Sequence, residues 1–361
     1  MLTNRPLKIE VLINSPGHHD QVRVRDPFLA LQSLGVDCRI HEKPFRFNLC
    51  IRPHSLVVWQ RPLPESWQRQ IEHLQWLRER GCLLLTEWDD HPDLFPTQIR
   101  NRLVNQAMAP LRACHAIHSS SAALARELNQ YNPLVLVLEN ATAAMPALDL
   151  NKHQTNELRL FLGNQNRNYE HRLIAPALLR WLKIDPQVKL VLVGDGELKD
   201  QMELEDITIE YHPLLNYSEY RRVLNSCQIA LLPLHSNLAN SCKTVIKWIE
   251  AAAESVAVIA GPELYGDVAQ GINKAKTLAL AEDLRDMIPL AQKLWRDLPE
   301  RLSMVYAAHN LVEKQWVLSC SLTQRLNLYR ALWQRRSLVD IRLMEAIGSQ
   351  APLLHQGPFC P

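Results

Sequence analysis

The sequence predicts an α/β fold of two doubly wound halves. Three observations point there. Short apolar runs alternate with amphipathic stretches at helical spacing. The runs are continuously apolar, as in parallel sheets covered on both faces. The rhythm breaks at a polar stretch over residues 150–156 and then restarts. A chain of 361 residues with 47% apolar content is too long for one ordinary core and comfortable for two.

In the first half, residues 8–14 (KIEVLIN) read as a strand, broken at Ser15, Pro16 and Gly17. A helix follows over 27–34, then strands at 36–41 and 55–60, the latter stopped by Arg61 and Pro62. Residues 66–80 form a helix with Trp67, Ile71, Leu74 and Leu77 on one face, ended by Gly81. Strands follow at 82–86 and 116–119, then a helix capped by Ser120 or Ser121, then a strand at 134–138. In the second half the strands are 158–163, 189–194, 207–211, 229–233 and 256–260. Between them lie helices at 172–183, 218–225 and 243–253, and helices dominate over 280–346.

Composition removes several function classes. With 40 basic and 38 acidic residues the net charge is +2, which leaves no broad basic field for nucleic acid. The apolar content excludes a disordered chain. No apolar run approaches the roughly 18 residues of a membrane span, and the N-terminus lacks a secretory pattern, so a cytoplasmic protein is expected. The eight cysteines form no CxxC pair and no zinc spacing, and read as reduced and mostly buried. No metal site is expected.

Doubly wound sheets bind ligands at the carboxyl ends of their strands. That rule selects residues 15–17, 60–62, 87–91, 163–167, 194–197 and the turn before Lys243. The GxG at Gly194, Asp195 and Gly196 has Lys199 where a dinucleotide fingerprint needs a third glycine, so it reads as a tight turn. The segment 240–261 (NSCKTVIKWIEAAAESVAVIAG) is richer. Lys243, Lys247 and Glu250 at i, i+4 and i+7 share one helix face. Two lysines at a helix N-terminus suit a diphosphate, and a carboxylate one turn on suits sugar hydroxyls. A solvated face of ion pairs is the other reading. Asp89 and Asp90 similarly read as either a base for a hydroxyl or a turn cap.

Segment 240–261 resembles the donor-site signature of the retaining GT-B glycosyltransferases of the large "glycosyl transferases group 1" family, the family 4 type. Asn240, Lys243, Thr244, Lys247, Glu250, Ala251, Ala252 and Ala253 match its pattern "N-x-x-K-S-x-x-K-x-x-E-A-A-A". Residues 161–164 (FLGN) resemble its "F-x-G", 191–196 (VLVGDG) its "V-V-G-D-G", and 227–234 (CQIALLPL) its "C-D-I-x-L-x-P-L". In the first half, 57–62 (VVWQRP), 85–90 (LTEWDD), 118–124 and 138–140 resemble further motifs in the family's order.

The resemblance implies two Rossmann-like domains facing each other across a cleft, with a C-terminal helical segment. Residues 1–148 would be the acceptor domain and 149–315 the donor domain. Helices at 316–347 would pack back on the first domain, and 348–361 would be a loose tail. It implies transfer of a sugar from a nucleotide diphosphate sugar to a hydroxyl with retained anomeric configuration, metal-independent and without a cofactor beyond that co-substrate. Glu250 would hold the ribose, and Lys243, Thr244 and Lys247 the diphosphate. Gly17, Gly163, Asn164 and Arg167 would lie along the phosphates, and Gly194, Glu197 and Leu214 beside the base. Cys242 stands where the family has its first donor-site glutamate, and Glu170 where relatives have a lysine. Gln60 stands where many relatives have a histidine toward the donor sugar, while Asp89, Asp90 and His91 would face the acceptor. The acceptor would be a saccharide, a lipid-linked saccharide or a protein, as in polysaccharide biosynthesis. The arginine-bearing tail reads as packed helix, or alternatively as a peripheral contact with the inner face of the membrane. A catalytically inactive nucleotide-sugar-binding protein and a sugar-nucleotide epimerase are the alternative functions.

Overall fold

The computed structural model describes residues 6–17, 20–63, 66–163, 167–271 and 275–354. The chain forms two compact units, Met1–Asn140 with Ser321–Pro361, and Ala141–Cys320. The first carries β1 (Lys8–Ile13), β2 (Asp37–Glu42), β3 (Leu56–Gln60), β4 (Leu83–Trp88), β5 (Ala116–Ser119) and β6 (Val135–Val137). The second carries β7 (Leu158–Leu162), β8 (Val188–Val193), β9 (Glu210–His212), β10 (Ile229–Leu232), β11 (Ala257–Ala260) and β12 (Ala279–Leu280).

The sheet orders are β2-β1-β3-β4-β5-β6 and β12-β11-β10-β7-β8-β9. Both sheets are parallel. In each the strand order reverses once, between β1 and β3 and between β7 and β10. Crossover helices leave opposite faces of the sheet at such a point and open a crevice outside the strand ends. Asn14, Ser15 and Gln60 sit at the first switch; Gly163 sits at the second.

Alternation along the strands explains the two-sided core. Leu158, Leu160, Leu162, Leu190, Leu192, Ile229, Leu231 and Ile259 pack on one face of the second sheet. Phe161, Val191, Val193, Ala230, Leu232, Val258 and Ala260 pack on the other. Local signals fix the helix ends. Ser66 Oγ accepts from Arg69 N at 3.1 Å and Ser121 Oγ from Leu124 N at 3.0 Å. Gly81, at φ +68°, closes the Trp67–Glu79 helix.

Several elements differ from the sequence expectation. The Asn168–Ile184 helix begins earlier than residue 172. The helix expected over 243–253 starts only at Ile246 and runs to Ala253, after a separate short Leu238–Ser241 helix. Asn237 caps the first of these, accepting from Asn240 N at 2.7 Å, and the β-branched run Thr244, Val245, Ile246 resists an immediate restart. The Phe47–Cys50 helix and the two-residue β12 have no periodicity to read.

In the first unit the C-terminal helices Leu318–Gln334 and Arg336–Leu354 complete the core. Leu322, Leu326, Tyr329, Leu332, Trp333 and Val339 join Ile9, Val11, Phe28, Val58 and Leu85. A polar pin holds the last helix. Arg78 grips Asp340 at 2.5 and 2.9 Å, and His115 Nε2 meets Asp340 Oδ1 at 3.1 Å. His115 Nδ1 accepts from Leu84 N at 2.9 Å, so Nε2 is the donor. Residues 355–361 lie outside the described residues. No described helix is long and apolar enough to cross a membrane.

Hydrogen bonds from His115 and Arg78 hold the Asp340 carboxyl well below its ordinary value of 3.8. A carboxyl depressed in the folded state stabilises the fold above that ordinary value, and the stabilisation fades as pH falls toward the folded value. Asp340→Asn should therefore flatten acid unfolding below about pH 4, read as hydrogen exchange of the last helix. An unchanged acid limb would refute the pin.

Candidate functional site

In the first unit the carboxyl edge is a polar cluster. Register places Ile13, Gln60, Glu87 and His118 in one row across β1, β3, β4 and β5. Side chains in one row of a parallel sheet share a face. Gln60 is fully buried, and its Oε1 accepts from Asn14 N and Ser15 N, both at 3.0 Å. It thus anchors the turn that leads to Pro16 and Gly17. Gly17 N donates to Asp20 Oδ1 at 3.0 Å. Gln60 Nε2 makes no hydrogen bond in the structure.

Asp89 and Asp90 are gathered by arginines. Arg61 donates to both Asp89 oxygens at 2.6 Å and to Asp90 Oδ2 at 2.8 Å. Arg23 pairs with Asp89 and with Glu87, the latter at 3.1 Å. Burial opposes the charge on Arg61, yet Asp89, Asp90 and Glu87 together raise its pKa. Arg61 sits at φ +43°, a conformation disfavoured for a side chain of its size, and its N–H donates to Glu87 O at 3.0 Å. Asp89 and Asp90 are therefore guanidinium partners, and His91 is a turn cap whose Nδ1 accepts from Asp93 N at 3.2 Å.

In the second unit the switch point carries two linked groups. Arg167, before the Asn168–Ile184 helix, lies 3.3 Å from both Glu170 Oε1 and Asn240 Oδ1. Glu170 also accepts from His235 Nδ1 at 2.8 Å, and Asn240 Nδ2 donates to His235 O at 2.9 Å. Burial opposes ionisation of Glu170, but these partners lower its pKa overall. Lys247 and Glu250 form the second group, 3.1 Å apart on one helix face. Lys247 Nζ also sits 4.1 Å above the Tyr220 ring, a cation–π distance. Lys243 and Thr244 precede that helix in the turn after Asn240, so Lys243 does not share the face of Lys247 and Glu250 as the spacing suggested.

Tyr265, in the Pro262–Ala269 helix, ties the groups together. Burial pushes its hydroxyl up to about 12, the Arg167 and Lys247 charges pull it back, and the Glu250 carboxylate adds to the rise. Beside them, Gly163 is required: a Cβ there would stand 2.2 Å from Phe161 Cζ. Gly194 is at φ +85°, which only glycine adopts cheaply. Glu197 is exposed and meets Asn168 at 2.5 Å and Arg172 at 2.6 Å, and Leu214 is exposed. Asn164 lies outside the described residues, as do His18 and His19. No group of three or more metal-ligating side chains occurs among the described residues.

The strand-end rule covered Arg61 and Glu87 without giving either a specific role, and it did not reach Tyr220 or Tyr265. For Glu87 the signal was present, since it ends an apolar strand beside the one that Gln60 ends. For the two tyrosines there was none, because their partners come from other helices.

No family model matches the chain, and no curated protein matches it significantly. Solved structures do. HepE of Anabaena, in complex with UDP and glucose, is 14% identical over 90% of this chain and 100% of that one, with a TM-score of 0.62. A glycosyltransferase from Rickettsia africae is 14% identical over 91% and 99%, with a TM-score of 0.62. Sucrose-phosphate synthase of Thermosynechococcus elongatus is 14% identical over 91% and 99%, with a TM-score of 0.64. At such identities the likeness is one of fold.

Proposed function

We propose that this chain, whose two doubly wound units have the GT-B glycosyltransferase fold, is a retaining, metal-independent glycosyltransferase. It would move a sugar from a nucleotide diphosphate sugar to a hydroxyl acceptor. The observation that carries the reading is a pair of held groups on the segments that follow β7 and β10 at the switch point, Arg167 on Glu170 and Asn240, and Lys247 on Glu250. Two cations and a carboxylate on the segments that leave one switch point suit a diphosphate and a sugar diol together.

In this reading Lys247 and Arg167 face the diphosphate, with Lys243 and Thr244 alongside, and Glu250 accepts from the ribose. Negative charge builds on the leaving diphosphate as the glycosidic bond breaks. The two cations are already oriented, Lys247 by Glu250 and the Tyr220 ring and Arg167 by Glu170 and Asn240. Charge held in place before the reaction stabilises the transition state without reorganisation. The leaving phosphate oxygen then takes the acceptor hydroxyl's proton on the same face, so configuration is retained and no protein base is needed. Gly163 and Gly194 let the backbone approach the nucleotide, with Glu197 and Leu214 at the base. The saccharide, lipid-linked or protein acceptor would meet the edge of the first unit.

One observation favours a second reading, an inactive nucleotide-sugar-binding protein. Glu170 places a carboxylate on Arg167 where relatives have a lysine. Thermal unfolding with a panel of nucleotide diphosphates and their sugars tests both. A ligand at about 100 times its Kd adds roughly 2.7 kcal/mol, so one nucleotide should raise the Tm clearly. Release of that nucleotide from its sugar, with or without an acceptor, supports the enzyme. Binding without release supports the second reading, and no shift with any member sinks both.

A further inference from the structure

We propose that Glu87 is a positioning residue: its carboxyl, rather than Asp89 or Asp90, is the group whose protonation state sets where Arg23 and Asp89 stand at the edge of the first unit. The geometry isolates this carboxyl. Glu87 is 1% exposed. Its Oε1 is held by Arg23 Nη1 at 3.1 Å, which fixes the direction of Oε2, and Oε2 has no partner. Its neighbours in the row are equally fixed. Gln60 Oε1 is taken by two backbone N–H groups, so Nε2 faces away from them, fully buried and unpartnered. His118, on the other side, is 3% exposed and has an unpartnered Nδ1. Three buried polar side chains in register thus each present an unsatisfied atom, and a buried carboxyl oxygen that receives no donor holds a negative charge at a cost.

The pairing points the same way. Arg61 and Arg23 both hold Asp89, and Arg61 also holds Asp90. Glu87 would be a third carboxylate, sharing Arg23 Nη1 with Asp89. His118 faces the row from β5, and Arg325 and Tyr329 face it from the Leu318–Gln334 helix. Arg325 donates to Glu139 O at 2.9 Å. His118 is kept neutral by burial and by the Arg325 and Arg23 charges, so it brings no cation to the row. Burial pushes the Glu87 carboxyl up to about 7, Arg23 pulls it down, and Asp89 adds to the rise.

Ionisation would set Glu87 and Asp89 in competition for one guanidinium nitrogen, loosening Arg23 and the Asp89–Arg61 pair beyond it. The consequence for sugar transfer rests on the function proposed above; the titration itself does not. A carboxyl raised in the folded state stabilises the fold below its ordinary value of 4.5 and loses that contribution as pH rises through about 7.

The test uses the full chain, with urea unfolding of the first unit followed by hydrogen exchange of β3 and β4 between about pH 5 and pH 8.5. The wild-type midpoint should fall across this range, and Glu87→Gln, which keeps the shape and the Arg23 contact, should not fall. Asp89→Asn should move the fall to lower pH, because the Asp89 charge adds to the rise at Glu87. An infrared band of a protonated carboxylic acid should be present in the wild type at the acid end and absent from Glu87→Gln. A slope that survives in Glu87→Gln, or the absence of a protonated-acid band from the wild type at the acid end, overturns the proposal. With a nucleotide sugar, the wild-type kcat should change near neutral pH and that of Glu87→Gln should not. Silence in this last arm with the slopes as expected removes the glycosyltransferase reading and leaves the role of Glu87 standing.

Discussion

Arg221→Leu lowers the unfolding free energy of the Ala141–Cys320 unit by about 3–5 kcal/mol, the usual cost of stripping one partner from a buried ion pair. Arg221 and Glu254 are 8% and 7% exposed in their side chains and approach to 2.6 Å. Arg221 Nη1 also donates to Thr142 Oγ1 and to the Tyr217 hydroxyl, each at 3.1 Å. Glu254 accepts from Asn225 Nδ2 at 2.8 Å, and its backbone oxygen accepts from Lys152 Nζ at 2.5 Å. The pair therefore joins the Tyr217–Asn225 helix, the end of the Ile246–Ala253 helix and the stretch around Thr142 that opens the unit. Leucine leaves the Glu254 carboxylate in an apolar setting, where desolvation dominates. Urea unfolding followed by hydrogen exchange of β10 and β11 measures the loss. The double variant Arg221→Leu with Glu254→Leu should recover most of it, because no charge is then stranded. A double variant as weak as the single one would show that the packing, not the charge, is what the arginine supplies.

On the function proposed above, Lys247→Met should weaken binding of the nucleotide diphosphate by about 10–100-fold. A hydrogen bond to a charged group contributes about 1.5–3 kcal/mol, and each 1.4 kcal/mol is tenfold in affinity. Methionine keeps the aliphatic stem near the Tyr220 ring and removes only the ammonium. The same change leaves Glu250, 2% exposed, without its lysine, so stability falls as well. Glu250→Gln in the Lys247→Met background restores the stability without restoring the affinity. Isothermal titration with the nucleotide that raises the Tm separates the two effects. Unchanged affinity with lowered stability would mean that Lys247 serves Glu250 alone, and the diphosphate would then have to rest on Arg167 and Lys243.

Much of the candidate site was legible because its residues stand at strand ends, and strand ends are marked by the apolar runs before them. Gln60, Asp89, Gly163, Gly194 and Glu197 all follow such runs. Lys247 and Glu250 were legible because a three-residue step shares a helix face. Lys243 was not, since the break between the Leu238–Ser241 and Ile246–Ala253 helices depends on the Asn237 cap and a β-branched turn that helical spacing cannot report. The opposite happened with Asp89 and Asp90. As sequence they look like spare carboxylates; as structure they are held by Arg61, which is 28 residues away from Asp89 in the chain and reaches it only through the β3–β4 pairing.

What the sequence by itself determined is the layered architecture: which runs are strands, that they pair in parallel, that the chain winds twice, and where in each half a ligand could approach. These follow from periodicity and from the requirement that a parallel sheet be covered on both faces. Only the tertiary structure decided the state of the polar groups. It turned Gln60 into the anchor of the Asn14–Ser15 turn, His91 into a cap and Asp340 into a pin. It also isolated Glu87 with a carboxyl oxygen that nothing among the described residues satisfies. The reason is physical. Apolar burial is non-directional and sums along the chain, so pattern suffices to read it. A buried polar group is defined by partners a few ångströms away, and those partners are brought together from distant positions by the fold.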